Sequence, residues 1–133
     1  MAKLIAPGNA AGHVNETKPM KITEITTLLG GHIVSGKARA YISVRYGFAA
    51  DLLSDVLTLE TDGILVITGL CTLQTIRTAE MAEVDCVVIA RGKKVSPAMV
   101  DLAERTGVIL IEADCSVFKA SGILFEAGLK PIY

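Results

Sequence analysis

Small and hydroxyl-bearing residues follow an apolar run in the middle of the sequence, at a point where a buried strand would end and a helix would begin. The run at residues 64–67 is followed by Thr68, Gly69, Thr72 and Thr75. In open α/β sheets, backbone N–H groups at such a helix start point into a crevice at the carboxyl edge of the sheet, where they bind anions. We therefore predict a ligand-binding turn here. The structural alternative is that threonine caps the helix and glycine permits the turn.

Two further turns of the same kind contribute positive charge and another hydroxyl group. The apolar run at residues 86–90 is followed by Arg91, Gly92 and Lys93, and a third turn ends at Ser116. Because the carboxyl ends of parallel strands meet at one edge of a sheet, we expect all three turns to face the same crevice. Such a crevice would suit a small anionic ligand such as a nucleotide. Alternatively, the two cations are solvated loop residues and Ser116 is a helix cap.

A catalytic alternative rests on two carboxylates, Asp51 and Asp55, which are spaced to share one helical turn. Such a pair can act in acid/base chemistry or hold magnesium, but it more often caps and solvates a short helix. The turn at residues 68–75 lacks the second glycine and the Lys-Ser/Thr pair of a phosphate-binding loop. We therefore predict no catalytic residue, no metal site and no cofactor. The alternative is an accessory enzyme or phosphotransfer component that uses the two carboxylates or this turn.

The three cysteines, Cys71, Cys86 and Cys115, show neither paired nor metal-finger spacing. Cys71 and Cys115 come at predicted helix starts, where a thiolate is favoured, so a redox-responsive switch is a third hypothesis. The simpler interpretation is a reduced, cytoplasmic protein in which Cys86 belongs to the core.

Composition excludes several classes of partner. The net charge is −1 and no block of like charge occurs, so the basic stripe of a nucleic-acid-binding protein is absent. The longest apolar runs have the length of strands, so we predict no membrane span. The first residues do not have the pattern of a secretory signal.

Strand and helix patterns alternate through the second half of the chain. The predicted strands are residues 64–68, 86–90 and 108–111, and the helices are residues 72–83, 97–106 and 116–127. Ser96 and Gly107 have the residue types of an N-terminal and a C-terminal cap for the middle helix. This alternation predicts an α/β fold of three layers, α/β/α, with a mainly parallel sheet of about four to five strands.

The first part of the chain is less regular. We predict a flexible extension at residues 1–19 and a single domain at residues 20–133. Within the domain, the patterns predict a helix at 22–29, a short strand at 32–34 and one alternating strand at 41–48. They also predict a short helix or turn at 50–57, with Asp51 as its N-cap, and a tail at 130–133.

Several segments together resemble the DRTGG domain, over about residues 20 to 128. They are MKITEI at 20–25, AADLLSDVL at 49–57, ITG at 67–69 with IRTAE at 76–80, and FKASGIL at 118–124. The resemblance implies a regulatory or dimer-forming α/β domain without established catalytic residues. Such domains are similar to the N-terminal domain of the HPr kinase/phosphorylase, and they occur in phosphotransacetylases and between the CBS domains of regulatory pyrophosphatases. Stand-alone members occur alongside proteins of anaerobic iron hydrogenases.

The sequence departs from the motif that gives this family its name. In place of its Asp-Arg pair stands Cys71-Thr72 or Thr72-Leu73, and of its Thr-Gly-Gly only Gly92 is kept. Arg91 stands where the family has glycine, which adds a charge to the crevice.

Together these observations predict a non-enzymatic regulatory or scaffold module. We expect it to sense a small anionic ligand and to act with a protein partner in hydrogenase or phosphotransfer metabolism. The apolar fraction, 51% with few aromatic residues, is high for a domain of this size and favours a homodimer.

Overall fold

The computed structural model describes residues 18–51 and 53–133, without the side chain of Leu53. Of the extension predicted at residues 1–19, only Lys18 and Pro19 are among the described residues. The described helices are α1 (Ile22–Leu28), α2 (Leu73–Met81), α3 (Pro97–Thr106) and α4 (Val117–Glu126). The described strands are β1 (Met20–Lys21), β2 (His32–Ser35), β3 (Ser43–Val44), β4 (Tyr46–Ala49), β5 (Ile64–Thr68), β6 (Cys86–Ile89), β7 (Ile109–Glu112) and β8 (Lys130–Pro131).

The described residues form one large sheet of six strands, in the order β2-β7-β6-β5-β4-β8, and a small antiparallel pair, β1 and β3. Strand β2 runs antiparallel to β7, and the other neighbours in the large sheet are parallel. Every residue of β5, β6 and β7 is buried, because helices cover both faces of the sheet. Helices α1 and α4 pack with the small sheet on one face, and α2 and α3 pack on the other.

The α/β class and the mainly parallel sheet are confirmed, but the predicted strand number was too low. The additional strand is β8, an edge strand of only two residues, which is too short for pattern analysis to detect. At one edge, β8 pairs with β4 in the segment that we predicted as a tail. The layers also differ from the prediction, since one of them contains the β1–β3 pair in addition to helices.

The single strand predicted at residues 41–48 is wrong. The segment forms two strands, β3 and β4, which belong to different sheets. The chain turns at Arg45, where the N–H groups of Arg45 and Tyr46 both donate to the carbonyl oxygen of Gly63, at 2.7 and 3.1 Å. Val44 therefore packs on one face of the large sheet and Tyr46 on the other. The apolar alternation is present in the sequence, but its side chains pack into two separate cores.

The helix caps follow the prediction closely. The Ser96 hydroxyl accepts a hydrogen bond from the N–H of Met99 at 3.2 Å, Pro97 begins α3, and Gly107 ends it with a φ of +81°. The segment at 50–57, which we predicted as a short helix or turn, contains most of a 3₁₀ helix at Leu53–Thr58. No helix among residues 18–51 and 53–133 is both long and apolar enough to cross a bilayer.

The C-terminal residues provide a test of the edge strand. Ile132 is 1% exposed and packs in the core formed with α2 and α3, whereas its neighbour Tyr133 is 71% exposed. We expect Ile132→Ala to lower the free energy of unfolding by about 2–5 kcal/mol because it leaves a cavity. The control Tyr133→Ala should change it by less than about 0.5 kcal/mol. Urea unfolding measures both variants. If Ile132→Ala changes the free energy of unfolding as little as Tyr133→Ala does, these residues are only a tail.

Candidate functional site

The carboxylate of Asp51 holds the turn that follows β5, residues 68–72, which we call the β5 turn. Its Oδ1 accepts hydrogen bonds from the Thr68 hydroxyl at 3.0 Å and from the Gly69 N–H at 2.9 Å. The N–H of Leu70 in turn donates to the Thr68 hydroxyl at 3.1 Å. We predicted Asp51 as the N-cap of the short helix that follows it in the chain. The carboxylate serves a turn 17 positions further along the chain.

The surroundings of Asp51 favour its charged form. The hydrogen bond from the Gly69 N–H lowers the pKa of Asp51 most, followed by the bond from Thr68. Burial opposes these two bonds, and the positive charges of Arg91 and then Lys93 lower the pKa further. The β5 turn thus has a fixed negative charge beside two cations.

The side chain of Arg91 lies directly over Gly69. A Cβ atom placed on Gly69 would come within 2.9 Å of Arg91 Cδ and 3.7 Å of Asp51 Oδ1. Any residue larger than glycine would therefore displace the arginine. The backbone of Arg91 has a φ of +70°, which only a small fraction of non-glycine residues adopt. Thr68, Gly69, Arg91 and Asp51 consequently form one cluster, with the charge of Lys93 close enough to act on it.

Two of the predicted ligand-binding residues, Thr72 and Thr75, use their hydroxyl groups within the fold. Thr72 caps α2 by accepting a hydrogen bond from the N–H of Thr75 at 3.2 Å. The buried hydroxyl of Thr75 donates to the carbonyl oxygen of Leu70 at 2.8 Å and lies 3.1 Å from the Thr72 hydroxyl. Both residues therefore shape the turn, as the structural alternative stated.

The loop after β6, residues 90–96 (the β6 loop), is joined to the turn after β7. The N–H of Arg91 donates to the carbonyl oxygen of Cys115 at 2.8 Å, and the N–H of Gly92 donates to that of Ala113 at 3.0 Å. Two donors that a ligand would need are therefore already used. Ser116 caps α4 by accepting from the N–H of Lys119 at 3.0 Å. Its hydroxyl thus serves as the cap of α4. Of the predicted ligand-binding residues, the structure brings Thr68, Gly69, Arg91 and Lys93 together with Asp51.

Sequence analysis assigned no role to a second carboxylate at this edge, Glu112, whose side chain is 8% exposed. Its Oε2 accepts a hydrogen bond from the Val95 N–H at 2.7 Å. Its Oε1 lies 2.8 Å from His32 Nε2 and 3.7 Å from Lys94 Nζ. The signal in the sequence was a single acidic residue that ends the apolar run of β7.

The partners of Glu112 outweigh the effect of its burial. Burial alone would raise the pKa of Glu112, but the bonds from Val95 and His32 and the charge of Lys94 together lower it. The residue therefore fastens the β6 loop and the edge strand β2 to the end of β7.

The thiol groups of Cys71 and Cys86 do not have the properties of an activated cysteine. Burial raises the pKa of Cys71, and the negative charge of Glu112 raises it further. The Cys71 thiol is within hydrogen-bond range of the Lys94 carbonyl oxygen, at 3.4 Å, and of the sulfur of Met99, at 3.8 Å. Burial also raises the pKa of Cys86. The predicted thiolate at Cys71 is thus not supported.

The part of the chain that the structure describes contains no group of three His, Cys, Asp or Glu side chains arranged to hold a metal ion. Of the two carboxylates in the catalytic alternative, Asp51 accepts hydrogen bonds from the β5 turn.

Neither a protein-family model nor a curated protein matches the sequence. A solved structure is similar in fold: the CBS and DRTGG domains of the regulatory region of Clostridium perfringens pyrophosphatase, in complex with its activator, diadenosine tetraphosphate. The TM-score is 0.67 at 15% sequence identity, and the match covers 84% of this chain and 48% of that chain. The chain thus spans about half the length of that structure. The likeness shows a DRTGG/CBS-like fold.

The contacts of Glu112 predict a specific dependence of stability on pH. Because the pKa of Glu112 is lower in the folded protein than its ordinary value of 4.5, the unfolded state binds more protons as the pH falls. The stabilisation is therefore complete above pH 4.5 and is lost as the pH falls through the lower, folded value. We expect Glu112→Gln to lower the free energy of unfolding at pH 7 by about 1–3 kcal/mol and to flatten its decrease in acid.

The control for this experiment is Glu80→Gln, on the exposed surface of α2. It should keep the pH dependence of the wild type and change stability by less than about 0.5 kcal/mol. Urea unfolding at a series of pH values measures both variants. If Glu112→Gln keeps the full acid dependence, the assigned role of Glu112 is wrong.

Proposed function

We propose that this protein is a non-enzymatic regulatory module that senses a small anionic ligand, such as a nucleotide, at the carboxyl edge of its sheet. The observation that carries the proposal is the cluster of Arg91, Lys93 and the β5 turn around the carboxylate of Asp51. Arg91 and Lys93 are exposed, so a ligand can reach them.

In this cluster, Asp51 occupies the position that an anionic ligand would take. Its carboxylate accepts a hydrogen bond from the Gly69 N–H and feels the positive charge of Arg91. Backbone N–H groups and guanidinium groups are also the groups that bind phosphate oxygens. A bound anion therefore either replaces this carboxylate or shares the cations with it. Exchange of an internal anion for an external one is a simple way to convert ligand concentration into a change in the turn.

A regulatory role is further supported by the similar fold in the regulatory region of the pyrophosphatase, which was crystallised with a nucleotide activator. We extend the nucleotide ligand and the regulatory role to this chain as part of the proposal. Membership of the DRTGG family, a homodimeric state, a cytoplasmic location and a partner in hydrogenase or phosphotransfer metabolism belong to the same proposal. The alternative of an accessory enzyme or phosphotransfer component gains no support from the geometry, since Asp51 holds a turn.

Two substitutions with opposite effects test the site. Arg91→Ala removes the cation that would bind the anion, so we expect affinity to fall roughly tenfold or more. Asp51→Asn removes the competing charge, so we expect affinity to rise. Isothermal titration calorimetry with ATP, diadenosine tetraphosphate and inorganic phosphate as separate probes measures both effects.

Arg77→Ala, which removes an exposed arginine on α2, is the matched control and should bind like the wild type. Nucleotide incubated with the protein should be recovered unchanged. The proposal is rejected if none of the three probes binds at millimolar concentration, or if Arg91→Ala and Arg77→Ala behave alike.

A further inference from the structure

Helix α4 exposes two large aromatic side chains on one face. Phe118 is 89% exposed and Phe125 is 66% exposed, although the whole chain contains only three phenylalanines. The two residues are two helical turns apart, so they lie on the same side of the helix. Beside them, α4 and strands β4 and β8 border an apolar groove of about 330 Å³, lined in part by Phe48 and Leu129. Contiguous apolar surface of this kind marks an interaction site.

Small residues occupy the centre of this face. A Cβ atom added to Gly122 would meet no heavy atom of the described residues within 4 Å. Glycine disfavours a helix relative to alanine, and no contact among the described residues explains its presence here. The hydroxyl of Ser121 donates to the carbonyl oxygen of Val117 at 2.7 Å, so it can be covered without losing a partner. The centre of the face therefore permits the close approach of another helix.

The charges of α4 are opposite to those that its own dipole favours. Lys119 lies in the first turn and Glu126 ends the helix, whereas a helix prefers acidic residues at its start and basic ones at its end. Both side chains are exposed, and neither forms an ion pair within residues 18–51 and 53–133. An antiparallel neighbour with the same sequence would supply the missing partner at each end.

We propose that α4 packs antiparallel against α4 of a second copy of this chain, across a two-fold axis between Ser121 and Gly122. This arrangement places Phe118 against Phe125 of the second copy. It also places Lys119 beside the last turn of the second copy, which carries Glu126. Each contact occurs twice, as in any isologous interface. The inference gives a location to the homodimer of the proposed function and rests on that part of it.

The first test is the mass of the full-length protein in solution, measured by light scattering at micromolar concentration. The wild type should be a dimer, and Phe118→Glu and Phe125→Glu should each be monomers. Because both rings are largely exposed, neither change should unfold the chain, and circular dichroism checks this. The matched control is Met81→Glu, at a residue of α2 that is 67% exposed on the other face of the sheet, and it should remain a dimer.

Charge reversal tests the antiparallel direction. Lys119→Glu and Glu126→Lys should each raise the dissociation constant roughly tenfold, because each puts like charges together at two places. The double variant should restore the wild-type value. Neither single change should lower the melting temperature of the monomer made with Phe125→Glu, since each suits the helix dipole better. If the two charges served only to stabilise the monomer, each single change would lower this melting temperature.

The outcomes separate this inference from the sensing function. A wild type that stays monomeric, or a dimer that survives both phenylalanine changes, overturns the α4 interface. The second result would leave the groove to another occupant, such as a small apolar ligand. In either case the titrations of Arg91→Ala and Asp51→Asn still test the anion site. Conversely, a dimer lost on Phe125→Glu supports the interface even where no anion binds.

Discussion

The complete burial of the three central strands is the constraint on which the rest of the structure depends. Every side chain of β5, β6 and β7 lies inside, so these strands have room for very few polar groups along their length. Helices must cover both faces, and polar residues collect where the strands end. The chemistry of the molecule is therefore concentrated at the carboxyl edge, where Thr68 ends β5 and Glu112 ends β7.

Two carboxylates of the chain accept hydrogen bonds from backbone N–H groups at that edge. Asp51 accepts the N–H of Gly69 after β5, and Glu112 accepts the N–H of Val95 before α3. Their pKa values are both lowered, so both remain charged near neutral pH and stabilise the loops that they bind. They differ in exposure: Glu112 is buried, whereas Asp51 is exposed beside Arg91. Of the two, only Asp51 is placed where an anion from solution could replace its carboxylate without opening the core.

The parts of the fold that depend on residues close together in the sequence could be predicted from the sequence alone. The buried strand at residues 64–68 and the caps Ser96 and Gly107 follow from apolar runs and local hydrogen bonds. The errors concern partners that are distant in sequence. Pattern analysis could not show that Gly63 splits the segment at 41–48, nor that β8 would pair with β4.

The same limit applies to the candidate site. Parallel topology correctly indicated that Thr68, Gly69 and Arg91 would lie at one edge. It could not show that Asp51 would come from the end of β4 to bind that turn, because this contact depends on where β4 sits in the sheet. It also could not show that the hydroxyl of Thr75 is consumed within the fold.

The candidate ligand site is connected to α4 through the peptide group between Cys115 and Ser116. The N–H of Arg91 donates to the carbonyl oxygen of Cys115, and the next residue, Ser116, caps the helix that carries Phe118. The backbone of Arg91 is in the left-handed region, so its position depends on contacts such as this one rather than on intrinsic preference. Under the proposed function, an anion that moves Arg91 would act on the first turn of α4 through this hydrogen bond. By linkage, any effect of that anion on the association of α4 with a second copy must be matched by an equal effect of association on the affinity for the anion.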